Sequence, residues 1–277
     1  MTQAIETEQL TETVGLEVRG VDVDRLLHDD AMPEWVLETL EANGVLVFRG
    51  LHLDDAAHIA FSKRLGQVEV FGSGENAEIF RVTLDPAKNP AAAYLRGTFD
   101  WHIDGLTDDI PIKATLLAAH GVAATGGETE FVSTYAAYDD LADEEKDRFE
   151  SVRVIHSIEA AQRRLESDPS PQQLAMWRSR PAKEQPLIWR HRSGRRSVVL
   201  GPTAGEVVGM DADDGRALIE DVLARATAPE RVYRHEWSLG DLVIWDNRGV
   251  LHRALPYDPT SPRDMHRTTL SGDEQIR

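Results

Sequence analysis

Apolar residues recur along this chain in two periods, and the switches between them mark out its elements. Leu16, Val18, Val21 and Val23 alternate with polar neighbours, which predicts a short strand over residues 14–23 with a turn or bulge at Gly20. Pro33 opens a stretch in which Trp35, Val36, Leu37 and Leu40 form one apolar stripe, closed by Gly44, so a helix is expected to Asn43. Val45-Leu46-Val47-Phe48 is apolar without interruption, as in a strand buried on both faces. Asp54 caps a second expected helix that runs to Leu65 and stops at Gly66. Ala56, Ile59, Ala60 and Leu65 are its core residues, and His52 and His58 read as surface or packing histidines.

From Phe71 to Phe99 the periodicity fails. Gly72, Gly74, Pro86 and Pro90 mark loops around one strand, Ile79 to Leu84, and the irregular stretch is a candidate substrate-covering loop. Strand-like runs then follow at 112–119, from Gly126-Gly127 into Thr129 to Phe131, and at 152–158, 231–237 and 242–245. Residues 187–200 split at Ser193-Gly194 into a hairpin. Helical patterns span 135–149 and 213–226, the second with Ala217, Leu218, Val222 and Leu223 on one face. The polar, proline-marked stretch 159–185 reads as a lid or insertion. With no repeat and no linker, residues 1–277 are expected to form one antiparallel domain, mainly β with flanking helices, of the jelly-roll or cupin-like kind.

Charge and composition narrow the partners. Against 30 basic residues stand 48 acidic ones, a net charge of −18 that opposes nucleic-acid binding. An anionic ligand therefore needs a local group of arginines against the global field. The absence of cysteine excludes disulfides, thiolate metal sites and cysteine nucleophiles, and fits a reducing cytoplasm. Met1 to Gln9 has no signal-peptide pattern, and no apolar run approaches the ~18 residues of a membrane span. The expected partner is a small molecule, met by a cytoplasmic protein that can act alone or as a homo-oligomer.

The candidate chemistry begins at Trp101-His102-Ile103-Asp104. On an extended strand residues i and i+2 share a face, so His102 and Asp104 would project together. They make two-thirds of the 2-His-1-carboxylate triad that holds non-haem Fe(II). His252 is the candidate third ligand. Arg263 and Arg267 follow it, and a planar guanidinium grips a carboxylate bidentately. Thr129, after the Gly-Gly turn, can add a hydroxyl donor to the same carboxylate. Three readings of these residues stand side by side: an iron oxygenase, a non-catalytic cupin-like binder of metal or organic acid, and a zinc hydrolase using the same three ligands.

The ordered set Trp101-His102-X-Asp104, Gly126-Gly127-Glu128-Thr129, Trp245-Asp246-Asn247-Arg248 and His252 through Arg267 resembles the taurine dioxygenase family, which includes the 2,4-dichlorophenoxyacetate dioxygenases. The likeness extends over nearly the whole chain. It implies a double-stranded β-helix with Fe(II) on His102, Asp104 and His252. It further implies 2-oxoglutarate as cosubstrate, its distal carboxylate on Thr129 and Arg263, and Arg267 on the anionic group of the primary substrate. The implied reaction uses O2 to oxidise an unactivated C–H bond, releasing succinate and CO2. Asp104 argues against the halogenating variants of this chemistry, which leave that ligand position empty. Two positions depart from taurine dioxygenase: Phe71 stands near where a sulfonate-binding histidine should fall, and Thr98 does not match a substrate-side asparagine. They point away from taurine and toward another anion, a carboxylate first and a sulfonate second. Tyr94, Phe99 and Trp177 are candidates to line that pocket or to serve as packing.

Overall fold

In the computed structural model, which describes residues 4–277, the uninterrupted apolar run of β3 (Val45–Phe48) is explained by what lies on its two faces. Residues 1–3, part of the stretch read for a targeting signal, lie outside the described residues. β3 belongs to a seven-stranded sheet. Its order is β1 (Glu6–Gln9), β2 (Leu16–Arg19), β3, β13 (Leu242–Asp246), β5 (Ala114–Gly121), β15 (Asp264–Leu270) and β4 (Phe80–Val82). Neighbours run antiparallel except β2 and β3.

One face carries Leu46, Phe48, Leu116, Ala118, Leu242, Ile244 and Leu270. They pack under helices α1 (Val23–His28), α2 (Met32–Asn43) and α3 (Asp55–Leu65) through Leu26, Met32, Val36, Leu40, Phe61 and Leu65. The other face carries Val45, Val47, Leu117, Val243, Trp245 and Met265. These meet Phe131 and Val250 of a three-stranded sheet ordered β12 (Tyr233–His235), β6 (Thr129–Ser133) and β14 (Val250–Ala254). Full burial of each such side chain stabilises by roughly 1.5–3 kcal/mol, so the doubly covered strands form the anchor of the fold.

A third layer backs the small sheet, where Val132 and Leu251 meet α4 (Thr134–Asp139), α5 (Asp143–Phe149) and α8 (Ala212–Ala226) within one core. The hairpin β9 (Ile188–Arg190)–β10 (Arg196–Val198) and a sheet ordered β11 (Ala204–Val207), β7 (Arg153–His156), β8 (Lys183–Pro186) complete it. The stretch 159–185 holds most of α6 (Ile158–Arg163), all of α7 (Pro171–Trp177) and the start of β8. The chain is thus mainly sheet with flanking helices, and among the described residues the sheets do not join into a closed barrel. No described helix is long and apolar enough to cross a membrane.

Three local expectations change, and one strand, β1, had no counterpart among them. The strand expected over 14–23 stops at Arg19, because the Asp22 carboxylate accepts the Arg25 N–H (2.9 Å) and starts α1 at Val23. β1 is exposed at every position and therefore has no periodic signature; its pairing with β2 alone makes it a strand. The helix expected over 135–149 breaks between α4 and α5, where Leu141 turns into the core. α8 buries Gly215, Ile219, Val222 and Ala226, with Leu218 and Leu223 at the margin and Ala217 exposed.

Asp241 fastens the end of β3 to the turn between β12 and β13. Its side chain is 1% exposed. The carboxylate accepts the amides of Gly50 (3.1 Å) and Ser238 (3.0 Å), pairs with Arg49 Nη1 (2.7 Å), and lies 3.3 Å from His235 Nε2. Burial opposes its charge, yet His235, the two amides and Arg49 hold its pKa down from 3.8 to about 2. A depressed carboxylate stabilises the fold above its unfolded pKa and loses that contribution as pH falls through the folded one. Asp241→Asn should therefore cost on the order of 2 kcal/mol in urea unfolding at neutral pH. The gap from the parent chain should close as the pH falls from about 4 toward 2.

Candidate active site

His102 lies in no regular strand, contrary to expectation. It makes a single antiparallel pairing with His252: the N–H of each residue donates to the carbonyl of the other, both at 3.0 Å. Residues that exchange both bonds send their side chains to the same side. The two imidazoles accordingly sit 4.1 Å apart between centroids. The chain then turns at once, with Gly105 at φ +82° pressed against the backbone of Pro111 and Ile112. Asp104 belongs to this turn and still reaches both rings: Oδ1 is 3.7 Å from His102 Nε2 and Oδ2 is 3.8 Å from His252 Nε2. The strand expected for His102 and Asp104 is absent, but the convergence expected of their side chains is present.

The protonation pattern follows from the neighbours. His102 Nδ1 is 2.8 Å from the Asp100 carbonyl, which can only accept, so Nδ1 carries a proton and Nε2 is turned toward Asp104. Burial first, and then the nearby His102, hold the His252 pKa well below its usual value. Burial works against the Asp104 charge, but His252, His102 and Arg267 outweigh it and hold the pKa below the usual carboxylate value. Asp104 Oδ2 is buried and has no hydrogen-bond partner. An ionised oxygen in that state is costly. A divalent cation among the three donors, which lie within 4.8 Å of one another, would remove the cost, and two imidazoles with one carboxylate suit Fe(II).

The two arginines are incomplete in the same way. Arg263 is 3% exposed; its Nε donates to the Gly127 carbonyl (3.2 Å), its guanidinium lies 4.6 Å from the Tyr257 ring centroid, and Nη1 has no partner. Burial lowers its pKa, outweighing Tyr257 and Glu128, which favour the charge. At Gly127 (φ +77°) a Cβ would stand 2.8 Å from Arg263 Cδ, so glycine is what lets this arginine pass. Thr129 Oγ1 accepts the Trp237 indole N–H (3.0 Å), which leaves its own O–H free to donate. Arg267 reaches Asp104 Oδ2 (3.6 Å) between the rings of Phe80 (4.8 Å) and Phe71 (5.6 Å).

His102, Asp104, Thr129, His252, Arg263 and Arg267 all line one cavity between the two sheets, walled elsewhere by Val82, Leu95, Leu117 and Ala254. Asp100, Phe80 and Trp237 had no signal in the sequence, since each acts through a neighbour brought near by folding. Phe71, read only as a missing histidine, proves to be a flank of Arg267. Thr98 does line the cavity. Tyr94 and Trp177 line a separate crevice with Met176, and Phe99 packs edge-on against Tyr257.

The chain is similar to known proteins over most of its length. Residues 6–269 match the family described as taurine catabolism dioxygenase TauD, TfdA family. The alpha-ketoglutarate-dependent 2,4-dichlorophenoxyacetate dioxygenase of Burkholderia sp. strain RASC is 35% identical over 249 residues, covering 84% of this chain and 83% of its own. The (S)-phenoxypropionate/alpha-ketoglutarate-dioxygenase of Sphingobium herbicidovorans is 30% identical, covering 99% and 97%. The crystal structure of AAD-2 in complex with Mn(II) and N-oxalylglycine superposes with a TM-score of 0.85 at 33% identity, over 99% of this chain and 100% of that one. The chain therefore belongs to the TauD/TfdA family of dioxygenases.

Proposed function

We propose that this chain is an Fe(II)- and 2-oxoglutarate-dependent dioxygenase of small carboxylates, with iron on His102, Asp104 and His252. Thr129 and Arg263 take the distal carboxylate of 2-oxoglutarate, and Arg267 takes the anionic group of the primary substrate. The observation that carries this reading is one cavity containing an unsatisfied carboxylate oxygen, a buried guanidinium with a free Nη1 and two imidazoles. When loaded, such a centre supplies oxidation of a substrate C–H bond by O2, coupled to conversion of 2-oxoglutarate to succinate and CO2. Family membership favours this over a passive binder or a zinc hydrolase.

The protein's own part is positioning. The Asp100 carbonyl holds the His102 ring by Nδ1, so that Nε2 is the nitrogen offered to a metal. The Trp237 indole fixes the Thr129 hydroxyl, which then donates together with Arg263 to one carboxylate. Arg267 steadies Asp104 from one side while Phe71 and Phe80 hold its plane, leaving Nε for an incoming anion. The apolar walls at Val82, Leu95 and Leu117 exclude water and suit a hydrophobic body attached to that anion. The phenoxyacetate and phenoxypropionate relatives make an aryloxyalkanoate the first candidate. A sulfonate is the second.

The same reading takes the two facing sheets as a double-stranded β-helix in a single domain acting in the cytoplasm. Residues 159–185 serve as the lid, joined to the loops before His102 by Arg164 with Asp100 (2.9 Å) and by Tyr94 O–H donating to Met176 Sδ (3.2 Å).

Purified protein should form succinate only with Fe(II), 2-oxoglutarate and O2 together. Aryloxyalkanoates should stimulate turnover more than taurine; no coupled or uncoupled turnover across a broad acid panel would sink the assignment. His102→Ala or His252→Ala should abolish Fe(II) binding at stoichiometric metal, together with the weak visible charge-transfer band of the anaerobic Fe(II)–2-oxoglutarate complex. Arg263→Ala should weaken 2-oxoglutarate by roughly 2–5 kcal/mol, read as its KM. Arg267→Ala should instead raise the KM of the primary substrate, and equal effects of both variants on 2-oxoglutarate would refute this division of roles.

A further inference from the structure

The opposite face of the large sheet carries a second histidine–carboxylate cluster, built from residues that the oxidation does not use. Side chains on β15 alternate, so Arg267 faces the cavity while His266 faces α3. On β5, His120 follows Ala114, Leu116 and Ala118 onto that same outer face, and Ala118 is the residue paired with His266. The imidazoles of His120 and His266 stack with centroids 3.8 Å apart and planes 15° from parallel. Asp55, in the first turn of α3, closes the group: its Oδ1 is 2.5 Å from His266 Nδ1 and 4.0 Å from His120 Nε2. One donor atom from each of the three lies within 4.8 Å of the others.

Two imidazoles and a carboxylate are a donor set for a borderline divalent ion such as zinc, cobalt or nickel. A further carboxylate stands behind the His266 ring. His266 is 9% exposed, and its Nε2 is buried without a hydrogen-bond partner. Asp264 Oδ1 lies 3.8 Å from that nitrogen. A metal on Nδ1 would hold the ring proton at Nε2, facing Asp264, which is the carboxylate–histidine–metal arrangement that orients ligating histidines. Asp264 is itself kept ionised by Arg81 and Lys88, so it serves as orienter rather than as a ligand. His58, one turn along α3 and fully buried, contacts Thr268 Oγ1 through Nε2 (3.1 Å) and stays outside the donor set.

We propose that Asp55, His120 and His266 form a second metal site, structural in role, that takes a zinc-class divalent ion with water completing the coordination. The ion ties the start of α3 to β5 and β15, the two strands whose inner faces carry Leu117 and Arg267. Loading moves the His266 ring proton from Nδ1, where it faces Asp55, to Nε2 beside Asp264, with no net change in the ring's proton count.

The test uses the full chain, stripped with chelator and titrated with Zn(II) by equilibrium dialysis and thermal unfolding. A His102→Ala/His252→Ala double variant, lacking the iron ligands, should still bind one equivalent of zinc and unfold at a higher temperature when loaded. Adding His120→Ala, an exposed position that the fold tolerates, should remove both effects while far-ultraviolet circular dichroism stays unchanged. Asp264→Asn in the double variant should weaken zinc by about 10–100-fold. Equal zinc binding by the double and triple variants, or none by either, would overturn the proposal. A double variant that keeps the full metal stoichiometry of the parent chain would count against the iron ligands instead.

Discussion

Two reciprocal backbone hydrogen bonds between His102 and His252 are the contact on which the rest of this site depends. They join an irregular segment to the middle of β14, and they set both imidazoles on one side of the junction. Arg253, on the outward side of β14, stacks on Trp101 at 4.6 Å and pairs with Glu130 of β6 at 2.7 Å. Glu130 is almost fully buried and also holds Arg234 of β12. The segment before Asp104 is thereby fastened from outside, by aromatic contact and paired charge, while its inner face stays free for chemistry. Closing so long a loop is unfavourable in chain entropy, and the doubly buried strands of the large sheet offset it.

Charge is handled differently inside the cavity and away from it. Asp241 has two amides and an arginine, Glu130 has two arginines, and Asp246 has Arg248 at 2.8 Å. In the cavity, by contrast, Asp104 Oδ2, Arg263 Nη1 and Arg267 Nε have no partner. Buried polar groups are normally satisfied, so a cluster of exceptions around two imidazoles marks a candidate ligand site. Against a net charge of −18, Arg263 and Arg267 supply local positive charge to the cavity.

The alternation of β15 gives one strand two jobs. Met265 packs between the sheets and Arg267 faces the cavity, while His266 and Thr268 face α3. Anything that stiffens the outer face of β5 and β15 also steadies the inner face, because side chains on the two faces share one backbone. The outer cluster and the inner cavity are separated by a single layer of sheet.

Much of the fold was legible because its signals are local. α2 and α3 were bounded by Pro33, Asp54 and the glycines after them, and β3 and β13 announced double burial by unbroken apolar runs. Residue type and order also singled out His102, Asp104, Thr129, His252, Arg263 and Arg267, since each offers a donor that the chemistry requires. What the sequence could not carry was adjacency. Period two tells which face a side chain takes and nothing about which strand lies beside it, so Trp237 behind Thr129, Phe80 beside Arg267 and the Asp55–His120–His266 cluster had no sequence signal. The turn at Gly105, the break at Leu141 and the polar strand β1 were likewise decided by packing and pairing. The sequence determined the donors and the order in which they occur; only sheet register, a property of the folded chain, decided that they meet.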